Sequence, residues 1–258
     1  MNKIALIHCG CHKTGSTTIQ HILKKNEKNI EFYIPKTYRL NYYPINHALL
    51  AWDILKDQRF KNNNFDLSNL KDEIKDKKKI MLSSEDFALV LSNEKTKKKF
   101  ENIFSDFKII YLCLVRSDKT RDLSLLNEFR YHYKFFRKLN IFKDFFNLKK
   151  NGFVTHKIYK SFEKCYYYTN HKLLIKKLKK NSKGKFFFID FNSKNNVLDI
   201  LNKISIFKNI TINKNYLNLR KKKKIYNLLK LFIVSKEIYI NKNRNKEKIE
   251  VLNKFLKN

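Results

Sequence analysis

Residues 8–18 read His-Cys-Gly-Cys-His-Lys-Thr-Gly-Ser-Thr-Thr, and these residue types in this order suit the capture of an anion. Gly10 and Gly15 let the backbone turn tightly and approach a charged group closely. Thr14, Ser16, Thr17 and Thr18 bring hydroxyl donors, and Lys13 brings a mobile positive charge. Ile19, Ile22 and Leu23 follow at helical spacing. The segment therefore ends in a helix N-terminus, with unpaired N–H groups and the positive end of the helix dipole.

The two glycines keep the spacing of a nucleotide-triphosphate loop, G-x-x-x-x-G-K-[ST]. Ser16 stands where that loop has its lysine, and Lys13 precedes Thr14-Gly15 instead. A triphosphatase needs the lysine on its β- and γ-phosphates and a hydroxyl on magnesium. The displaced lysine points away from that chemistry.

The segment resembles the 5′-phosphosulfate loop of the P-loop sulfotransferases, most of all bacterial ones reading close to H-x-G-x-H-K-T-G-T-T. The specific resemblance covers roughly residues 3–130. It implies that 3′-phosphoadenosine 5′-phosphosulfate (PAPS) is the co-substrate, held without a metal by His12, Lys13, Thr14, Gly15, Ser16, Thr17 and Thr18. The family binds the 3′-phosphate with a strand-end Arg and a Ser on the next helix. Arg116 and Ser124 in VRSDKTRDLSLLNEF match that pattern, and the planar donor fork of Arg suits phosphate oxygens.

Sulfuryl transfer to a hydroxyl requires a base for the acceptor's proton and positive charge on the leaving oxygen. Lys13 is the candidate for the charge. Glu85 in IMLSSED and His47 in PINHALL are the candidates for the base; His12 shapes the loop or meets the acceptor. The resemblance to bacterial members implies a carbohydrate acceptor, a glycan or glycolipid head group.

Strands must carry these residues to one place. Apolar runs at 3–9, 79–83, 108–115 and 185–191 read as strands, with a further one at 31–34 closed by Pro35. Helical patterns fall at 17–28, 46–55, 70–79, 96–104, 122–139, 171–180, 195–206 and 221–256, with a polar loop over 60–69. Alternation of this kind predicts an α/β domain: a three-layer P-loop fold with a central parallel sheet, flanking helices and a basic helical C-terminal tail. Residues 1–130 form the PAPS-binding core of a single domain, and 131–258 add acceptor-side helices, a last strand and the tail. Ligands in such sheets bind at the carboxyl ends of the strands, where Gly10–Thr17, Ser83–Glu85 and Arg116 all fall.

The chain's 258 residues carry 57 Lys and Arg against 23 Asp and Glu, a net charge of +34. The lysines are scattered rather than gathered on one segment. Heavy use of Lys, Asn, Ile, Phe and Tyr fits AT-rich coding. A specific nucleic-acid partner is not expected from such dispersion, whereas weak attraction to an anionic membrane surface is. Residues 4–7 are too short for a signal-peptide core, and no apolar run spans a bilayer. Cys9, Cys11, Cys113 and Cys165 lack the spacing of a disulfide framework. A cytoplasmic setting is therefore expected. His8, Cys9, Cys11 and His12 do not converge as metal ligands, because alternate strand residues face opposite sides.

Two other activities compete. A P-loop kinase or NTPase would use Ser84-Glu85-Asp86 as a magnesium-holding strand end, and a nucleic-acid module would use the charge. The aromatic, basic stretch 129–168 serves equally as a sugar-stacking surface or a packed helical cap.

Overall fold

In the computed structural model, residues 3–10, 14–41, 45–57, 59–60, 65–115, 153–156, 165–168, 171–190, 203–205 and 245–257 are described. Among them six strands form: β1 (Lys3–His8), β2 (Lys79–Ser83), β3 (Phe107–Val115), β4 (Phe153–His156), β5 (Cys165–Tyr168) and β6 (Lys185–Asp190). Seven helices accompany them: α1 (Ser16–Lys25), α2 (Ala48–Leu55), α3 (Leu67–Ile74), α4 (Phe87–Ser92), α5 (Glu94–Ile103), α6 (His171–Lys179) and α7 (Asn245–Lys257).

Four strands make one parallel sheet in the order β2-β1-β3-β6. β1 and β3 are apolar on both faces, as strands covered on both sides must be. Ala5, Ile7, Ile80, Leu82, Ile109, Tyr111 and Cys113 face a core shared with α2 through α6. Ile4, Leu6, Met81, Ile110, Leu112 and Leu114 face the other way, against α1 and α7. The α/β architecture with helices on both faces is thus present.

Five elements depart from the pattern in the sequence. Of residues 31–34 only Tyr33 pairs, in a single parallel bridge to Ile80 at the outer side of β2. Pro35 has no N–H with which to extend that ladder. α3 begins at Leu67 because Asp66 and Asn69 form a capping box, each side chain bonding the other's backbone. α4 carries no amphipathic signature, since Phe87 to Leu91 are all buried. β4 and β5 form an antiparallel pair that no alternation announces. The expected helices at 122–139 and 195–206 and the tail before residue 245 lie outside the described residues.

Candidate functional site

β1 leads to β2 on one side, and the chain then crosses to β3 on the other. That reversal makes the carboxyl ends of β1 and β3 the crevice in which doubly wound sheets hold ligands. The Gly10 loop leaves the first of these ends, and Val115 closes the second, immediately before Arg116.

Gly10 follows β1, and Gly15 stands before α1 with φ at 86°, in the left-handed region. Gly15 is the N-cap of α1 and supplies no side-chain cap, and the first turn holds no acidic residue. The Ser16 and Thr17 amides belong to that turn, whose N–H groups have no partner within a helix. Thr14 and Ser16 are buried, and Thr17 and Thr18 are partly so. An ideal Cβ built on Gly10 would stand 3.0 Å from Ser16 Oγ, 3.0 Å from Thr14 Oγ1 and 3.1 Å from His8 Nε2. A Cβ there would press on three polar side-chain atoms, each of which would have to give by a few tenths of an ångström.

β2 brings the second wall. His8 lies in register with Ser83, and the Ser84 N–H donates to the His8 carbonyl at 3.1 Å. Glu85 therefore follows a residue bonded directly to the end of β1, and it is partly exposed. Its neighbour Asp86 is turned inward. The Trp52 indole N–H donates to Asp86 Oδ2 at 2.8 Å, and an Arg59 Nη1 stands 3.8 Å from the same oxygen. Arg59 also stacks over the Trp52 ring at 4.5 Å.

His47 is fully buried beside this end of the sheet. Its Nδ1 accepts the Ser83 N–H at 3.2 Å, so Nε2 carries the proton and donates to the Pro35 carbonyl at 3.0 Å. Burial pushes its pKa down to about 4, against the weaker upward effect of the Pro35 bond. Both ring nitrogens are thus engaged with backbone. The segment that His47 secures is braced elsewhere too. Glu73 accepts the Tyr33 hydroxyl at 2.7 Å and the Lys36 and Thr37 amides at 2.6 and 2.9 Å. Arg39 donates to the Pro35 and Ile34 carbonyls and to Glu27.

Of the residues singled out in the sequence, Thr14, Gly15, Ser16, Thr17, Thr18, Glu85 and His47 gather at this end of the sheet. His12, Lys13, Arg116 and Ser124 lie outside the described residues. Cys9 and His8 point to opposite faces, as strand alternation requires. Cys9 Sγ is 3.1 Å from Cys113 Sγ in one core, while His8 Nδ1 is 2.8 Å from Ser83 Oγ on the α1 side. Sequence reasoning passed over His8 as a functional residue. Its signal was there: an imidazole at the last position of an otherwise apolar, doubly covered strand.

No protein-family model, curated protein or solved structure matches the chain.

Proposed function

We propose that the chain is a sulfotransferase that moves the sulfuryl group of PAPS to a hydroxyl of a carbohydrate acceptor. One observation carries the proposal. His8, which ends β1 two residues before Gly10, accepts the N–H of Ser84, the residue before Glu85, at 3.1 Å. This adjacency supports a reading in which an anion held at the glycine segment and the Glu85 carboxylate act at one end of the sheet, as transfer from a bound phosphosulfate to a hydroxyl requires.

In this reading the loop and the first turn of α1 hold the phosphosulfate oxygens, with Lys13 on the bridging oxygen that leaves. Arg116 and Ser124 receive the 3′-phosphate. Glu85 takes the acceptor's proton as its oxygen attacks sulfur in line, and adenosine 3′,5′-bisphosphate departs. Of the two candidate bases, the engagement of both His47 nitrogens by backbone favours Glu85, with His47 positioning the strand end. The Trp52 and Arg59 contacts of Asp86 leave that carboxylate committed, which weighs against the magnesium-dependent kinase reading.

Calorimetric titration with adenosine 3′,5′-bisphosphate in the absence of magnesium tests the proposal. Binding should be lost or sharply weakened in Arg116→Ala, while Lys13→Ala should chiefly lower turnover. Failure of the intact protein to bind this nucleotide, or magnesium-dependent ATP turnover, would sink it.

A further inference from the structure

Among the described residues, four buried side-chain polar atoms have no hydrogen-bond partner: His8 Nε2, Ser16 Oγ, Gln20 Nε2 and Asn46 Oδ1. Such orphans are rare because each forfeits hydrogen bonds to water. Two of the four, His8 Nε2 and Ser16 Oγ, lie within 3.1 Å of the same point beside Gly10. They face the start of a helix that has neither a side-chain cap nor an acidic residue in its first turn.

The proton on His8 can be located. Ser83 is wholly buried, and among the described residues its hydroxyl meets only His8 Nδ1, at 2.8 Å. If Nδ1 carried the proton, the Ser83 O–H would be left with no acceptor in the core. The serine therefore donates, Nδ1 accepts, and Nε2 carries the hydrogen. What faces the loop is an N–H donor with nothing to receive it. The ring is also neutral near neutral pH, since burial pushes its pKa down to about 4.

We propose that His8 is an anion-binding residue. Its Nε2–H donates to an oxygen of an anionic group seated beside Gly10 and Ser16, and Ser83 holds the tautomer that makes this possible. The group's identity as a phosphosulfate or 5′-phosphate rests on the sulfotransferase reading, whereas the donor itself does not. His8 adds direction without charge, so discrimination at this position is by geometry rather than by field. It is not a base, since one nitrogen already carries a proton and the other is taken by Ser83.

The test uses the full chain labelled with 15N-histidine, titrated in turn with inorganic pyrophosphate and adenosine 3′,5′-bisphosphate. The resonances of His8 are assigned by their absence in His8→Gln. In the free protein they should show an Nε2–H with an unprotonated Nδ1, and the Nε2–H signal should move on anion binding. His8→Leu should lose about tenfold to a hundredfold in affinity, the range for a hydrogen bond to a charged group. An Nδ1–H tautomer, or a bisphosphate complex in which the Nε2–H signal stays put, overturns the inference and leaves the sulfotransferase reading intact. Pyrophosphate binding that moves the signal, with no bisphosphate binding, upholds the donor and overturns the sulfotransferase reading. Binding of neither probe overturns both.

Discussion

Ser83 Oγ stands 2.8 Å from His8 Nδ1, and the N–H of the same serine reaches His47 Nδ1 at 3.2 Å. One residue at the end of β2 thus sets the proton position on two buried imidazoles, each with a pKa pushed down to about 4. Between pH 6.5 and 4 the unfolded chain binds protons at these positions and the folded chain does not. Stability is therefore fully present above about pH 6.5 and is lost as pH falls toward 4, by on the order of 3 kcal/mol per histidine. Urea unfolding at pH 7 and pH 5 should show the drop, and His47→Gln should remove about half of it, the share of His8 remaining. A stability indifferent to pH across that window would contradict the structure.

Gly10→Ala places a methyl where Ser16 Oγ, Thr14 Oγ1 and His8 Nε2 converge at 3.0 to 3.1 Å. These side chains must shift by a few tenths of an ångström and lose their aim. Affinity for adenosine 3′,5′-bisphosphate should fall about tenfold, the equivalent of one hydrogen bond to a charged group. Circular dichroism should report an unchanged secondary structure. Unaltered affinity would mean that the anion does not use this space.

Glu85→Gln removes the proposed base while keeping its shape. Consumption of PAPS over a panel of glycan acceptors should slow by about a hundredfold to ten-thousandfold, the usual contribution of general base catalysis. Bisphosphate affinity should stay within about threefold of the parent, as befits a residue that meets the acceptor. Full activity in this variant would shift the base elsewhere.

Away from the site, Lys97 is almost wholly buried and donates to the carbonyls of Lys177, Leu178 and Lys180 at 2.8, 2.8 and 2.5 Å. It closes the C-terminal end of α6, where carbonyls have no partner within the helix. Lys97→Met should cost about 2 kcal/mol in denaturant unfolding, since it leaves the buried Leu178 carbonyl without its donor and strips the other two of theirs. A neutral outcome would show that α6 finds other donors.

Cys9 and Cys113 are fully buried, and burial pushes the Cys113 thiol well above its ordinary pKa. Only thiolates react appreciably. Peptide mapping after brief treatment with a thiol reagent should find both unlabelled in the native protein and labelled in urea. Rapid native labelling of either would place it outside the core.

The sheet was legible in the sequence because fully covered strands are continuous apolar runs, and 79–83, 108–115 and 185–191 are such runs. The glycine loop was legible because Gly10 and Gly15 keep a spacing with a physical purpose. α4 was not, because a helix buried all round, as Phe87 to Leu91 are, has no polar face to give it a period. Tyr33 joins the sheet through one bridge, too little to leave a two-residue alternation. The part proposed for His8 was hidden for another reason. Its role depends on Ser83, and no local pattern announces a partner on another strand.

The distance between those two residues along the chain has a consequence for how the protein comes to exist. His8 and Ser83 are 75 positions apart, so their pairing closes a long loop whose entropic cost is met only when β1 and β2 join. A nascent chain shorter than this has the glycine loop but not the wall beside it. The proposed anion-binding surface is then a property of the folded state alone, and a ligand that fits it draws the equilibrium toward that state by mass action. Raising ligand concentration to about a hundred times the dissociation constant adds about 2.7 kcal/mol, enough for the melting temperature itself to report which anion belongs there.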